Sequence, residues 1–232
     1  MRRVCTLAVM AAAASAATAD TYTDTFDNGT NAGNWGFIHG FDSIEDSGGN
    51  PGWYLRQPAF DTFAPILSGD QGPFIGDYRA MGVTPISVDA ITYHRDFGPP
   101  EGFEFSLLLR DTKDTPEVDD DDYAYYVGDE VPQPGQGWKS FAFDVPSDSG
   151  DLPAGWKGGW VGDGENFRPG VTWSDVITNV KQVEFWWINP TFFAFFANWD
   201  VGVDNPAITT IPAPASAGLL ALGALAGGRR RR

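Results

Sequence analysis

An all-β fold, an antiparallel two-sheet sandwich of jelly-roll type, is what the sequence predicts, and three observations carry that expectation. Short runs alternate apolar and polar residues at period two, which places one set of side chains on each face of a strand. Clusters of Gly, Pro and Asp at 47–52, 98–102, 112–122, 128–137 and 146–170 separate the runs. The composition joins 14% aromatic residues, nine Trp among them, to 28 Gly and 17 Pro, which suits many short strands and turns.

Taken in order, Trp53 to Gln57 and Ile91 to Phe97 are short strand candidates. Between Gly102 and Arg110, Phe103, Phe105, Leu107 and Leu109 share one face, and Glu104, Ser106 and Arg110 the other. Tyr123 to Val127 is a further short candidate. From Trp138 to Val145, Phe141, Phe143 and Val145 alternate with Ser140, Ala142 and Asp144. Thr172 to Asn179 is the single helical turn, with Thr172 or Ser174 as its cap. Val183, Phe185 and Trp187 then alternate with Glu184 and Trp186, and Trp199, Val201 and Val203 with Asp200, Gly202 and Asp204. About eight strands result, with no internal repeat.

Neither end belongs to this pattern. Arg2 and Arg3, an apolar stretch from Val4 to Ala14 and the small residues Ala17-Thr18-Ala19 form a secretory signal peptide over residues 1–19, cleaved after Ala19. The sandwich is expected over 20–210. Residues 211–232 form a Pro-Ala linker, an apolar run and four terminal arginines. The fourteen apolar-run residues from Ala215 to Gly228 fall short of the ~20 that span a bilayer, and their glycines weaken a helix. The arginines suit the anionic cytoplasmic face, so the tail is a transient membrane anchor. Pro212-Ala213-Pro214, the short hydrophobe and the Arg cluster resemble the PEP-CTERM class of bacterial sorting tails, whose usual glutamate between the prolines is Ala213 here. The resemblance implies removal by an exosortase-like membrane protease and delivery to the cell surface or outside it.

Charge narrows the partners of the body. Nine basic residues face 31 acidic ones between the two signals, a net charge of −22. That field repels nucleic acid and anionic membranes and keeps an exported protein soluble. The one cysteine, Cys5, leaves with the signal peptide, so the body has no disulfide, thiol nucleophile or cysteine metal site. Its stability rests on the core, alone or with a structural ion.

Three stretches resemble the jelly-roll modules of extracellular carbohydrate-binding and laminin-B-like domains. They are Asp24 to Trp35 at the first strand, Gly137 to Pro146 in mid-domain, and Trp199 to Asn205 at the closing strand. The resemblance implies that first and last strands are neighbours and that their acids hold a structural Ca²⁺. Carried onto this chain, it names Asp27 and Asp204, with Asp24 as a further ligand. Hard carboxylate and carbonyl oxygens are what Ca²⁺ takes; the alternative reading of the same residues is as turn caps. The run Asp119 to Asp122 and the loop Asp163-Gly164-Glu165 lack EF-hand spacing and read as solvated acidic loops.

No nucleophile elbow, phosphate loop or His-Glu-x-x-His pattern is present, and His39 and His94 lack metal-ligand spacing. Glu104 and Glu184, both facing away from the aromatic core, are either sugar-hydroxyl ligands or a glycosidase pair. A sugar's C–H face stacks on aromatic rings, which makes Trp186 the leading platform and Trp53, Tyr54, Tyr123 and Tyr125 further candidates. Phe192 and Phe196 flank two more phenylalanines in a segment that no single face can hide, an exposed patch for a partner or ligand. The expected role is a non-catalytic surface or matrix protein whose partner is a polysaccharide or exopolysaccharide matrix. A self-associating structural protein and a polysaccharide-acting enzyme are the alternatives.

Overall fold

The computed structural model describes residues 18–99, 102–192 and 196–211. Most of the signal peptide and the whole sorting element, Pro212 and Pro214 included, lie outside the described residues. Ala19 is exposed just ahead of the first strand.

Among the described residues twelve strands form: β1 (Asp20–Thr23), β2 (Gly36–Phe37), β3 (Ser43–Gly49), β4 (Gly52–Phe63), β5 (Ile66–Gly69), β6 (Val83–Arg95), β7 (Glu104–Asp111), β8 (Asp122–Glu130), β9 (Lys139–Asp144), β10 (Trp156–Trp160), β11 (Gln182–Trp186) and β12 (Phe196–Thr210). Two short helices, α1 (Tyr78–Met81) and α2 (Trp173–Ile177), sit in the loops. The strands make two six-stranded sheets. One runs β3-β4-β12-β6-β9 with β1 also on β12, and the other runs β10-β8-β7-β11-β5-β2. Every strand pair is antiparallel. The chain crosses between the sheets repeatedly, so the molecule is the all-β jelly-roll sandwich that its sequence predicts.

Alternation decides which face of each strand meets the other sheet. Phe105, Leu107 and Leu109 of β7, Val183 and Phe185 of β11, Phe141 and Phe143 of β9, and Trp199, Val201 and Val203 of β12 are all buried between the sheets. Phe105 ties the layers together: its ring centroid lies 4.3 Å from Phe141 of the opposite sheet and 5.8 Å from Phe185, onto which it stacks. Trp187 meets it edge-on at 4.9 Å. α2 follows its sequence signal. The Thr172 side chain accepts from the Asp175 backbone N–H and the Asp175 carboxylate accepts from the Thr172 N–H, a capping box that starts the helix and buries Trp173, Val176 and Ile177.

The structure corrects the expected strand count and two local readings. β10 lies inside the stretch 146–170 that reads as loop, because its Trp-Lys-Gly-Gly-Trp sequence looks like a turn. The Asp119 to Asp122 run is not wholly solvated: Asp121 and Asp122 are buried. Asp122 starts β8 opposite Asp111 of β7, and Lys113 bridges the two carboxylates, with Arg168 3.4 Å from Asp122. The Asp163 loop does stay at the surface, where that carboxylate accepts the backbone N–H groups of Glu165 and Asn166.

Candidate functional site

The outer face of the second sheet collects most of the candidate residues. Cross-strand register sets three rows there. Gly159, Tyr123, Arg110 and Gln182 form one; Lys157, Tyr125, Leu108, Glu184, Ser68 and Gly36 the next; Val127, Ser106, Trp186 and Ile66 the third. At the centre, the Arg110 guanidinium forks onto Glu184, with Nε 2.9 Å from Oε1 and an Nη 3.2 Å from Oε2. Its other Nη donates to Asp121 at 3.1 Å. Burial lowers the Arg110 pKa, and the two carboxylates more than reverse this, leaving it above the ordinary arginine value. Trp186 then donates its indole N–H to Glu184 Oε2 at 2.7 Å. A fork of this kind is rigid and charge-assisted, so it fixes the indole as well as the carboxylate.

Tyr123 is held on the same face. Its ring lies 5.5 Å from the Arg110 guanidinium carbon, and a Cβ on Gly159 would fall 2.2 Å from the ring. Glycine at 159 therefore lets the tyrosine lie across β10. Tyr125 is placed in the row but is fully buried, and burial pushes its phenol up to about 12. It is a floor residue and not an open platform. Its hydroxyl and that of Ser106 have no hydrogen-bond partner among the described residues, a cost that a packed core ordinarily avoids.

Other candidates are placed elsewhere. Trp53 lies in the first sheet and packs against the core, away from Trp186. Tyr54 is buried on that sheet's outer side between Tyr93 and Trp138. Beside it Arg56 forks onto Asp200, which holds the guanidinium pKa above its usual value; sequence reading missed this pair. Glu104 is exposed at the start of β7, four residues along the strand from Leu108, the register partner of Glu184. That separation is roughly 13 Å, beyond the ~5–9.5 Å of a glycosidase pair. With Glu184 also locked on Arg110, these two carboxylates do not face each other across a cleft.

The three acids named as metal ligands divide. Asp24 is buried and accepts from the backbone N–H groups of Gly33 at 2.9 Å and Phe26 at 3.4 Å, so it organises the first loop. Asp27 and Asp204 approach the β3–β4 hairpin. Asp204 accepts from Asn50 N–H at 2.5 Å and Asn205 N–H at 2.8 Å, and it has no ion-pair partner among the described residues. Burial raises its carboxyl to about 6; the two N–H donors oppose that shift, and the charges of Asp89 and Asp27 add to it. Asp89, which sequence reading missed, accepts from Asn50 and Asn205 side chains. Where a Cβ on Gly49 would sit, Trp53 O, Gly52 O and Asp204 Oδ2 crowd within 2.5–2.8 Å. Among the described residues no three acidic, His or Cys side chains converge as a metal cluster. Hard oxygens from Asp27, Asp204 and the hairpin carbonyls are nevertheless of the kind that Ca²⁺ takes.

No protein-family model matches this chain, and no curated protein does. Among solved structures the chain is similar to the family 11 carbohydrate-binding module of the cellulosomal cellulase Lic26A-Cel5E of Clostridium thermocellum, at 16% identity over 83% of this chain and 95% of that one, with a TM-score of 0.46. A family 11 module from Clostridium thermocellum in complex with a β-1,3-1,4-mixed-linked tetrasaccharide compares at 16% identity, 83% and 96% coverage and a TM-score of 0.46. An exo-β-agarase compares at 16% identity over 84% of this chain and 25% of that one, with a TM-score of 0.43.

Proposed function

We propose that this protein is a non-catalytic, exported surface or matrix component that binds polysaccharide on the outer face of the second sheet. The observation that carries the reading is Trp186. Its indole is half-buried and held through its N–H by Glu184, which Arg110 holds in turn. An oriented ring with a fixed polar edge suits stacking against a sugar's C–H face. Tyr123, Gln182 and Lys157 on the same face supply a second ring and hydrogen-bond donors. The −22 charge of the body favours neutral over acidic glycans.

A structural Ca²⁺ at Asp27, Asp204 and the hairpin carbonyls belongs to the same proposal. When bound, it would neutralise two carboxylates and clip the first loop to the closing strand, stabilising the folded state by linkage. Export by the leader, processing at Pro212 to Pro214 by an exosortase-like enzyme, and transient anchoring by the tail complete it. Mass spectrometry of the C-terminus from the native host tests the processing step; intact terminal arginines contradict it.

The binding claim is tested by affinity electrophoresis against a panel of neutral and acidic polysaccharides. Retention by at least one neutral polysaccharide is expected, falling at least tenfold in Trp186→Ala. Absence of retention across the panel, with the protein folded and Ca²⁺ present, rejects the reading.

A further inference from the structure

We infer that the end of the sandwich beside Trp186 carries a separate subsite, which takes an apolar acyl or alkyl substituent borne by the glycan; this rests on the binding face proposed above. Strand ends assemble it. Trp186 pairs in register with Ile66, Ile38 N–H donates to Ile66 O, and Trp187 N–H donates to Pro65 O. The Thr62 hydroxyl holds the next turn through His39 O at 2.9 Å. Between these elements lies a cavity of about 340 Å³, lined by Phe63, Ala64, Ile66, Trp186, Ile188 and Phe192, with His39 the one polar side chain in its lining. That volume falls within the range of small-ligand sites, which are lined chiefly by apolar groups.

The lining selects the occupant. A pyranose buried here would leave its hydroxyls without partners, at a cost for each. An alkyl or acyl group asks for none. Around the mouth, Phe63, Phe192 and Phe196 are 46%, 55% and 58% exposed, with the Phe63 and Phe196 rings edge-to-face at 5.6 Å. Aromatic rings left in water around a concavity mark a contact surface. Charge then separates the sources of an apolar group. A body at −22 repels fatty-acid carboxylates, anionic bilayers and a second copy of itself, whereas an ester-linked substituent on a neutral glycan is uncharged. Trp186 lines this cavity and also donates to Glu184, which Arg110 holds, so a chain lying on the sheet face reaches the cavity with a side group. Ile211, just before the proposed processing element, lies at the other end of β12 from Phe196 and roughly 45 Å away, so the cavity is at the end of the sandwich farther from that element.

Calorimetric titration of the whole exported chain with octyl β-D-glucoside, below micelle formation, and with methyl β-D-glucoside tests the pocket directly. The octyl compound is expected to bind at least tenfold more tightly, about 1.4 kcal/mol. The advantage is expected to vanish both in Ala64→Phe, which fills the cavity, and in Phe192→Ser, a change at a residue 55% exposed at its mouth. Equal affinities, or an advantage that survives both variants, overturn the subsite. In affinity electrophoresis, an O-acylated polysaccharide is expected to be retained more strongly than its de-esterified form. Retention without that gain overturns the subsite and leaves the binding face standing; no retention of either form overturns the binding face and the glycan assignment with it. Co-sedimentation with phosphatidylcholine vesicles, or a dimer in sedimentation velocity that Phe192→Ser dissolves, assigns the cavity to lipid or to a second copy and overturns the proposal.

Discussion

Asp204 shows how one buried carboxyl can report on a whole corner of the molecule. Its carboxyl sits near 6 in the folded chain, against ~3.9 for an aspartate in water. Between those values the folded state keeps a proton that the unfolded state has lost. This group therefore favours folding most below about pH 4, and that contribution falls as pH rises, complete in its loss above about pH 6. The difference is about 2–3 kcal/mol at ~1.4 kcal/mol per unit. In chelator, the thermal midpoint of the wild type should fall relative to that of Asp204→Asn as pH rises from 4 to 7. Added Ca²⁺ should restore the wild type and not the variant; parallel pH profiles for the two proteins, or no response to Ca²⁺, would contradict the assignment. Glu184 poses the opposite case, a buried anion whose partner is present. Glu184→Ala leaves the Arg110 charge with Asp121 alone and is expected to cost about 3–5 kcal/mol in urea melts.

Among the elements, α2 and β10 mark the limits of local signals. The capping box of α2 is written in four consecutive residues, Thr172 to Asp175, so it is legible without the fold. Thr172→Ala should cost about 1 kcal/mol in thermal unfolding. β10 has no such signal. Its glycines at 158 and 159 exist to admit the rings of Phe167 and Tyr123, and those rings come from other parts of the chain. Gly159→Ala should displace Tyr123 and weaken polysaccharide retention several-fold, with α2 and the core unaffected in circular dichroism. The alternating runs on β7, β9, β11 and β12 were readable because each has one face in the core. β5 was missed because it is four residues long and Ile66-Leu67-Ser68-Gly69 does not alternate apolar with polar side chains, so period two leaves no contrast.

Across the whole molecule, the aromatic layer between the sheets holds the fold together without disulfides, the chain having a single cysteine. Phe105 joins both sheets through Phe141, Phe185 and Trp187. Phe105→Ala is expected to cost about 3–5 kcal/mol, lowering the thermal midpoint by roughly 6–20 °C for a domain of this size. β1 lies antiparallel on the end of β12, with Asp20 opposite Thr210. Both ends of the described chain thus leave from one end of the sandwich, and the aromatic cavity occupies the other.

The amino-acid order alone makes legible the fold class, the core faces of the patterned strands, the capped helix and the acidic, disulfide-free character of the body. Those properties follow from side-chain periodicity and composition, which are local. It also singled out Trp186 and Glu184, because alternation sets them opposite Val183 and Phe185. Only the tertiary structure paired Arg110 with Glu184, 74 residues apart, buried Tyr125, turned Trp53 to the core, and brought Asp89 and Asn50 beside Asp204. Strand register and sheet order decide such contacts. They are set by the packing of the two sheets as a unit, and no single stretch of the chain encodes them.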